Sequence, residues 1–441
     1  MTWSYGEALS WLYARQALGI RLGLGKVELL LRELGDPHRS YRVVHVAGTN
    51  GKGSVTRMLA EALRRSGLRV GATTSPHLVS FTERIEVDGV PVSQGDVAAG
   101  LAEIRPVVED LDGRGEVTTF FEVVTVLAFL LFRGRVDWAV VETGMGGRLD
   151  ATNVVVPDLT VITNVGLDHT QFLGATVGEI ALEKAGIMKA GVPCVTACDG
   201  EALAVLKVHS HALRVPMSIV GGDYSVVPDR HGLVLLRPNG ESFYEVGLAG
   251  GHQRTNAAVV VAAVDALRLQ GVVVPERALC DALRLTGNRG RLELFRVPCD
   301  DLVAGSPADV MEVLVDGAHN PVAARALRAY LVEEGWRGFH LVVGFCADKD
   351  WRAALDEWLL PSAHVWAVPV RNPRSLDPGA IVAFARDAGV RADVARDVEA
   401  ALSAAVRDGG RRVVVAGSLF LAGEAVAFLS GESLEEIRGA Q

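Results

Sequence analysis

Cysteine is scarce in this 441-residue chain, with five residues at 194, 198, 280, 299 and 346. So sparse and odd a set excludes a disulfide framework and points to a reducing compartment. Cys194 and Cys198 have no second Cys/His pair beside them, which argues against a zinc site. Long apolar runs are missing too. The longest, VVTVLAFLLF at 123–132 between Glu122 and Arg133, falls far short of the ~20 residues that cross a bilayer and reads as a buried helix. The opening MTWSYGEALS has no basic stretch leading into an apolar one, so no signal peptide is expected. A basic excess is also absent. Against 44 Lys+Arg stand 53 Asp+Glu, a net charge of −9, and the pI is near 5.7. That balance argues against a nucleic-acid coat or a basic membrane-surface protein. The expectation is a cytoplasmic protein with neither nucleic-acid nor membrane partner.

What is present is an average globular composition, 49% hydrophobic and 22% charged. At about 150 residues per domain the length suggests two or three domains. The first clear unit is a β-branched strand, RVVHV (42–46), followed by AGTNGKGS and by VTRMLAEALRRSG (55–67). Val55, Met58, Leu59 and Leu63 recur there at helical spacing, and Gly67 supplies a stop. Further strands at 68–73, 138–142 and 159–164, separated by helix-length segments, predict a mostly parallel sheet. Residues 217–246 read as hairpins at the edge of that domain. A second strand-helix series begins after about residue 295, in steps of 20 to 30 residues that suit right-handed βαβ units. The predicted fold class is therefore α/β: an N-terminal P-loop domain (1–288), a linker (289–295) and a smaller, open, Rossmann-like domain (296–441).

Chemistry concentrates in Gly48-Thr49-Asn50-Gly51-Lys52-Gly53-Ser54. Three glycines let backbone N–H groups turn inward on an anion at a helix N-terminus whose dipole favours negative charge. Lys52 would meet β/γ-phosphates and the Ser54 hydroxyl a Mg²⁺, although only two residues, not four, separate the first glycine from Gly-Lys. Two strand ends offer partners: Glu142 closes WAVVE, and LTVITN runs into Asp168 and His169. Mg²⁺ prefers oxygen, so His169 points to a second metal site. Lys184 sits beside an apolar stripe of Ile180, Leu182, Ala185 and Ile187, and pairing with Glu183 or Glu179 is its plain reading.

Taken together, AGTNGKGS (47–54), TSPHL (74–78), ERIEVDG (83–89), TTFFEVVT (118–125), ETGMGGRLDATN (142–153), ITNVGLDHTQFLG (162–174), EIALEKAGIMK (179–189), GHQRTNA (251–257), GRLE (290–293), DGAHNP (316–321), DKD (348–350), NPRSL (372–376) and AGSLFLAGE (416–424) resemble the folylpolyglutamate synthase/dihydrofolate synthase family, within the Mur ligase group of ATP-dependent amide-forming enzymes. The resemblance implies that ATP phosphorylates a folate or dihydropteroate carboxylate, and that the amino group of L-glutamate attacks the acyl phosphate. It implies Gly48 to Ser54, Asn256, Arg291 and Asp316 as nucleotide contacts. Ser54, Ser75 and Glu142 would hold one Mg²⁺, and His169 with Lys184, as a carbamate, a second, leaving a K⁺ requirement open. Gly23, Leu24, Thr118, Thr119, Phe120, Phe121, Leu149, Asp150 and Ala151 resemble the folate pocket, and His319 and Ser418 the glutamate side. In this scheme Lys52, Lys184, His169, Glu142 and His319 are catalytic, and a monomer is expected. One departure is Arg289, where the family often has proline before GRLE.

Two rivals are weighed against this reading. A P-loop ATPase without ligase activity gives no reason for DGAHNP and AGSLFLAGE at later strand ends. A cell-wall Mur-type amino-acid ligase carries a UDP-binding domain ahead of its P-loop, whereas only about 47 residues precede Gly48 here.

Overall fold

The computed structural model describes residues 3–19, 22–237, 240–306 and 309–435, so the expected outer bounds 1 and 441 lie outside the described residues. The first sheet has eight strands: β1 (Arg42–Ala47), β2 (Val70–Thr73), β3 (Ile85–Val87), β4 (Val90–Pro91), β5 (Trp138–Glu142), β6 (Leu159–Ile162), β7 (Cys194–Thr196) and β8 (Met217–Ile219), in the order β4-β3-β2-β5-β1-β6-β7-β8. From β2 to β8 every pairing is parallel. The β3/β4 hairpin adds an antiparallel edge.

Period-two alternation sorts the strand residues between two cores. Val44, Val46, Val140 and Val161 pack under the helices Lys52–Arg65 and Gly251–Leu269. Val43, Ala139 and Val141 face the opposite layer, which holds the helix Phe120–Phe132. All of that helix but Phe121 and Leu131 is buried, as an apolar run without a polar face requires. In the helix Lys52–Arg65, Val55, Met58, Leu59 and Leu63 are fully buried, as the helical spacing predicts.

The stretch 217–246 differs in part from its reading as hairpins. Met217–Ile219 joins the main sheet as a parallel edge strand. Strands β9 (Ser225–Asp229), β10 (Gly232–Arg237) and β11 (Gly240–Glu245) form a separate antiparallel sheet.

The second large sheet contains β12 (Glu293–Pro298), β13 (Val310–Val315), β14 (Phe339–Val343), β15 (Ser362–Ala367), β16 (Ala392–Val394) and β17 (Arg412–Ala416), in the order β12-β13-β17-β14-β15-β16. All its pairings are parallel except β12/β13. Because β12 starts at Glu293, sheet pairing begins inside the stretch read as linker. Leu78 and Val79, from the loop after β2, belong to the core of this second sheet beside Val315, Leu421 and Ala422.

Candidate functional site

Four adjacent parallel strands, β2, β5, β1 and β6, present their carboxyl ends to one crevice, the usual ligand position in open α/β sheets. Ser75 follows β2, Glu142 ends β5, the glycine-rich loop follows β1, and the segment to His169 follows β6.

Two glycines of the loop are sterically required. Gly48 has φ +156°, and a Cβ there would lie 1.8 Å from Thr163 Oγ1. Gly51 has φ +83°, and its Cβ would lie 2.5 Å from Asn256 Oδ1. The β6 exit clamps the loop. The Thr49 and Asn50 N–H groups donate to Asn164 O (2.9 Å) and Oδ1 (2.9 Å), and Thr163 Oγ1 donates to Asn50 O (2.6 Å). Thr163 and Asn164 were not among the residues singled out from sequence. Their signal was the polar pair Thr163-Asn164 at the end of LTVITN.

Lys52 Nζ donates to Gly48 O (3.1 Å) and Thr49 O (3.3 Å). Lys184 Nζ donates to the same Gly48 carbonyl at 2.9 Å. This corrects the plain reading of Lys184, because Glu183 pairs with Arg148 and Glu179 caps its own helix. The expected apolar stripe is also amended: Ile180, Ala185 and Ile187 are buried but Leu182 is exposed. Burial, aided by the charge of Lys52, pushes the Lys184 ammonium down to about 7. A large fraction of it is then the neutral amine near neutral pH.

Glu142 is buried beside the loop, and a Cβ on Gly53 would be 3.5 Å from its Oε2. That oxygen accepts the Ser75 N–H at 3.3 Å. Burial pushes the Glu142 carboxyl up to about 7 against the pull of Lys52, Arg291 and Arg57. A buried carboxylate this poorly compensated suits a divalent cation, and the oxygen donors of Ser54, Ser75 and Glu142 suit Mg²⁺. Ser54 Oγ now accepts from Gln253 Nε2 (3.3 Å) and Asn288 Nδ2 (3.1 Å).

His169 is exposed and adopts φ +49°. Partial desolvation of its ring by the surrounding loops lowers its pKa although Asp168 opposes the shift. The second sheet reaches this point: Lys349 Nζ lies 3.9 Å from Asp168 Oδ1. Burial raises the Asp168 carboxyl, but the charges of His169, Lys349 and His319 hold it below its ordinary value. His319 Nδ1 sits 2.8 Å from Gly317 O. A carbonyl only accepts, so Nδ1 carries the proton and Nε2 offers a lone pair. Burial pushes the His319 imidazolium down to about 4.

Asn256 Nδ2 donates to Gln253 Oε1 at 2.9 Å, next to the loop. Asp316 accepts from the N–H groups of Leu292 (2.9 Å) and Ala318 (2.8 Å), so it ties the GRLE segment to the β13 exit. Arg291 lies against Gly317, whose Cβ would be 3.0 Å from a guanidinium nitrogen. Ser418 caps the helix Leu419–Ser430 through the Phe420 N–H (3.0 Å).

The folate-type segments divide. Thr118 is fully buried and accepts from Arg15 (2.8 Å), Thr119 caps the helix Phe120–Phe132, and Phe120 stacks on Tyr13 at 5.6 Å. Asp150 accepts from Met145 N–H (2.8 Å) and from Thr152, and Ala151 is buried with it. These groups are engaged inside the protein. Phe121 lines a cavity with Thr73, Thr74, Ser75, Thr125 and Glu142. Gly23 and Leu24 precede the helix Gly25–Glu33, and Leu149 is half-buried.

Arg84 also lines that cavity and was missed as a site residue. It is buried, donates through Nε to His77 Nδ1 (2.7 Å), and lies within 5.9 Å and 5.5 Å of the Phe81 and Phe120 rings. Its partner is neutral, since burial keeps His77 well below its ordinary value. Burial pushes the guanidinium itself down to about 10. Among the described residues no carboxylate is bonded to this buried cation, which is poised to take one from a ligand.

Two stretches of the chain match known families. Residues 46–264 match the Mur ligase middle domain and residues 304–428 the dihydrofolate synthetase C-terminal domain. The chain is 38% identical over 364 residues to the dihydrofolate synthase/folylpolyglutamate synthase of Bacillus subtilis, covering 79% of this chain and 80% of that one. It is 33% identical to the folylpolyglutamate synthase of Lacticaseibacillus casei, covering 95% and 97%. The crystal structure of folylpolyglutamate synthase from Thermotoga maritima superposes with a TM-score of 0.85 at 33% identity, covering 98% of each chain. Escherichia coli FolC in complex with DHPP and ADP gives 0.83 at 29% identity, covering 96% and 98%.

Proposed function

The chain belongs to the dihydrofolate synthase/folylpolyglutamate synthase family, and on that premise we propose that it uses ATP to join a dihydropteroate or reduced-folate carboxylate to the amino group of L-glutamate. One observation carries this reading: a phosphate cradle, two lysines on its first carbonyl, a buried carboxylate and a buried cation without a bonded carboxylate share one crevice. The E. coli relative's complex with DHPP and ADP supports the two ligand classes. We read the chain as bifunctional, making dihydrofolate and lengthening the glutamate tail on one site.

The chemical difficulty is that a carboxylate is a poor electrophile and repels ATP. Lys52 and the N–H groups of Gly48 to Ser54 would hold the β/γ-phosphates. Asn256 would hold the adenine, and Arg291 and Asp316 the rest of the nucleotide from the GRLE linker and second domain. Ser54, Ser75 and Glu142 would hold one Mg²⁺, and His169 with a carbamylated Lys184 a second; bound metal offsets phosphate charge during transfer. The depressed ammonium of Lys184 favours the carbamate, because only the neutral amine reacts with carbon dioxide. Arg84 would draw in a substrate carboxylate, and Phe121 would flank the acceptor ring, with Gly23, Leu24 and Leu149 shaping its pocket. ATP phosphorylates the carboxylate, the glutamate amine attacks the acyl phosphate, and phosphate leaves. His319 and Ser418 would orient the glutamate.

In this assignment the ATP domain runs to residue 288, residues 289–292 link it to the second unit, and the glutamate domain opens with β12 at Glu293. The protein works as a cytoplasmic monomer; among the described residues no helix is long and apolar enough to cross a membrane. The test is ADP release with each acceptor. Release that needs both L-glutamate and a folate acceptor supports the reading. Release with UDP-linked peptide precursors alone removes it.

A further inference from the structure

The loop that carries Ser75 and leads to Arg84 is held in part from outside its own sheet. Leu78 and Val79 are buried in the second core. The contact is close: a Cβ on Gly423 would be 2.2 Å from Leu78 O, and one on Gly290 would be 2.8 Å from the Leu78 side chain. Within the loop, the Glu83 carboxylate accepts the N–H groups of Leu78 (2.8 Å), Val79 (3.1 Å) and Ser80 (3.1 Å).

After the helix Leu419–Ser430 the chain turns back over this loop. Leu434 packs on the second core. The Glu435 N–H donates to Val79 O at 3.0 Å. Its carboxylate accepts from Ser80 Oγ (2.9 Å), the Phe81 N–H (2.8 Å) and Tyr5 Oη (3.0 Å). Arg289 completes the clasp. It forks onto Glu432 (2.7 and 3.0 Å) and reaches Glu83 at 3.8 Å. One segment thus joins the first helix, the loop after β2 and the linker.

We propose that Glu435 is a positioning residue for ligation, the buckle of a strap (Glu432–Glu435) that holds the Ser75–Arg84 loop in register with Glu142. What the loop positions rests on the ligase reading above; that the strap holds it does not. Arg289 secures the linker through a charged fork to the strap.

Glutamine separates shape from charge. Its amide oxygen accepts the Phe81 N–H while its NH₂ group donates to Ser80 Oγ, because a hydroxyl can reverse its role. Glu435→Ala removes the carboxylate's bonds to Ser80, Phe81 and Tyr5 and keeps the backbone bond to Val79 O. In the whole protein, hydrogen–deuterium exchange across residues 75–84 rises about tenfold in Glu435→Ala, the worth of one charge-assisted hydrogen bond. The Mg²⁺ concentration for half-maximal ADP release rises with it, while kcat at saturating Mg²⁺ and the melting temperature stay near wild type. Glu435→Gln restores both readouts. Should Glu435→Ala fail to fold, Arg289→Met, which opens the fork but leaves the carboxylate pocket intact, gives the same pattern to a smaller degree. Wild-type exchange across 75–84 in Glu435→Ala, or a Gln variant no better than Ala, overturns the proposal. Exchange needs no turnover, so absent ligation in the wild type removes the ligase reading and leaves the strap to be judged on exchange alone.

Discussion

Replacing Gly48 with alanine puts a methyl where the chain has no room. The new Cβ falls 1.8 Å from Thr163 Oγ1, with Thr163 Cβ and N at 3.1 and 3.3 Å behind it. Either the hydroxyl is expelled, losing its 2.6 Å bond to Asn50 O, or the loop lifts off β6. Overpacking and a broken buried hydrogen bond together cost roughly 2–5 kcal/mol. A lifted loop misplaces the anion cradle, and a loss of about 2.7 kcal/mol from within that range weakens nucleotide binding about a hundredfold. Thr163→Ala removes the clashing oxygen, after which the nearest atom is the Cβ at 3.1 Å, so a shift of a few tenths of an ångström relieves the contact and leaves only the backbone strain of a side chain at φ +156°. The double variant Gly48→Ala/Thr163→Ala should bind a nonhydrolysable ATP analogue more tightly than Gly48→Ala, with a coupling of about 1–2 kcal/mol in a calorimetric double-mutant cycle. Wild-type affinity in Gly48→Ala, or strictly additive losses in the double variant, would refute the reasoning.

Lys184→Met should stabilise the free protein while ending ligation. With a folded value near 7 against 10.5 unfolded, the unfolded chain binds more protons between those values, so stability rises with pH across them and the penalty is full below about pH 7. At about 1.4 kcal/mol per pH unit the penalty is at most ~5 kcal/mol. Urea unfolding at pH 6.5 should show a more stable variant; a less stable or active one contradicts the account. His45 gives a separate acid limb. Thr152 Oγ1 donates to Asp150, so His45 Nε2–H donates to Thr152 and Nδ1 is buried without a partner. Burial pushes the imidazolium down to about 3. Its contribution to stability is therefore complete above pH 6.5 and lost as pH falls toward 3, up to ~5 kcal/mol. His45→Gln keeps the bond to Thr152 and should flatten that limb in urea titrations, and an unchanged limb would assign it elsewhere.

Local pattern made the strands, the glycine-rich loop and the helix behind it legible, because each is written within about twenty residues. The order of β2, β5, β1 and β6 is not written locally, and that order makes Ser75, Glu142, the loop and His169 neighbours. Lys184 shows the limit. Its spacing reports a lysine beside an apolar stripe, but its partner is the Gly48 carbonyl far away in sequence, so i,i+4 reasoning chose Glu183 or Glu179 instead. Leu182 does not belong to that stripe: two residues on from Ile180 it lies about 200° round the helix Val177–Ala185 and faces solvent. Arg84 stands in ERIEVDG with no local mark of its role; only the fold shows it buried near the Phe81 and Phe120 rings, with no carboxylate bonded to it among the described residues. Met217–Ile219 has no hairpin partner of its own and completes the sheet through a parallel pairing that no local turn announces.

The central claim is the ligation itself. Purified protein incubated with Mg·ATP, L-glutamate and dihydropteroate, or a reduced folate, should yield ADP and a product heavier by one glutamyl unit in equal amounts, measured by coupled assay and mass spectrometry. ADP without any glutamylated product, or a product that forms when L-glutamate is omitted, would contradict the account.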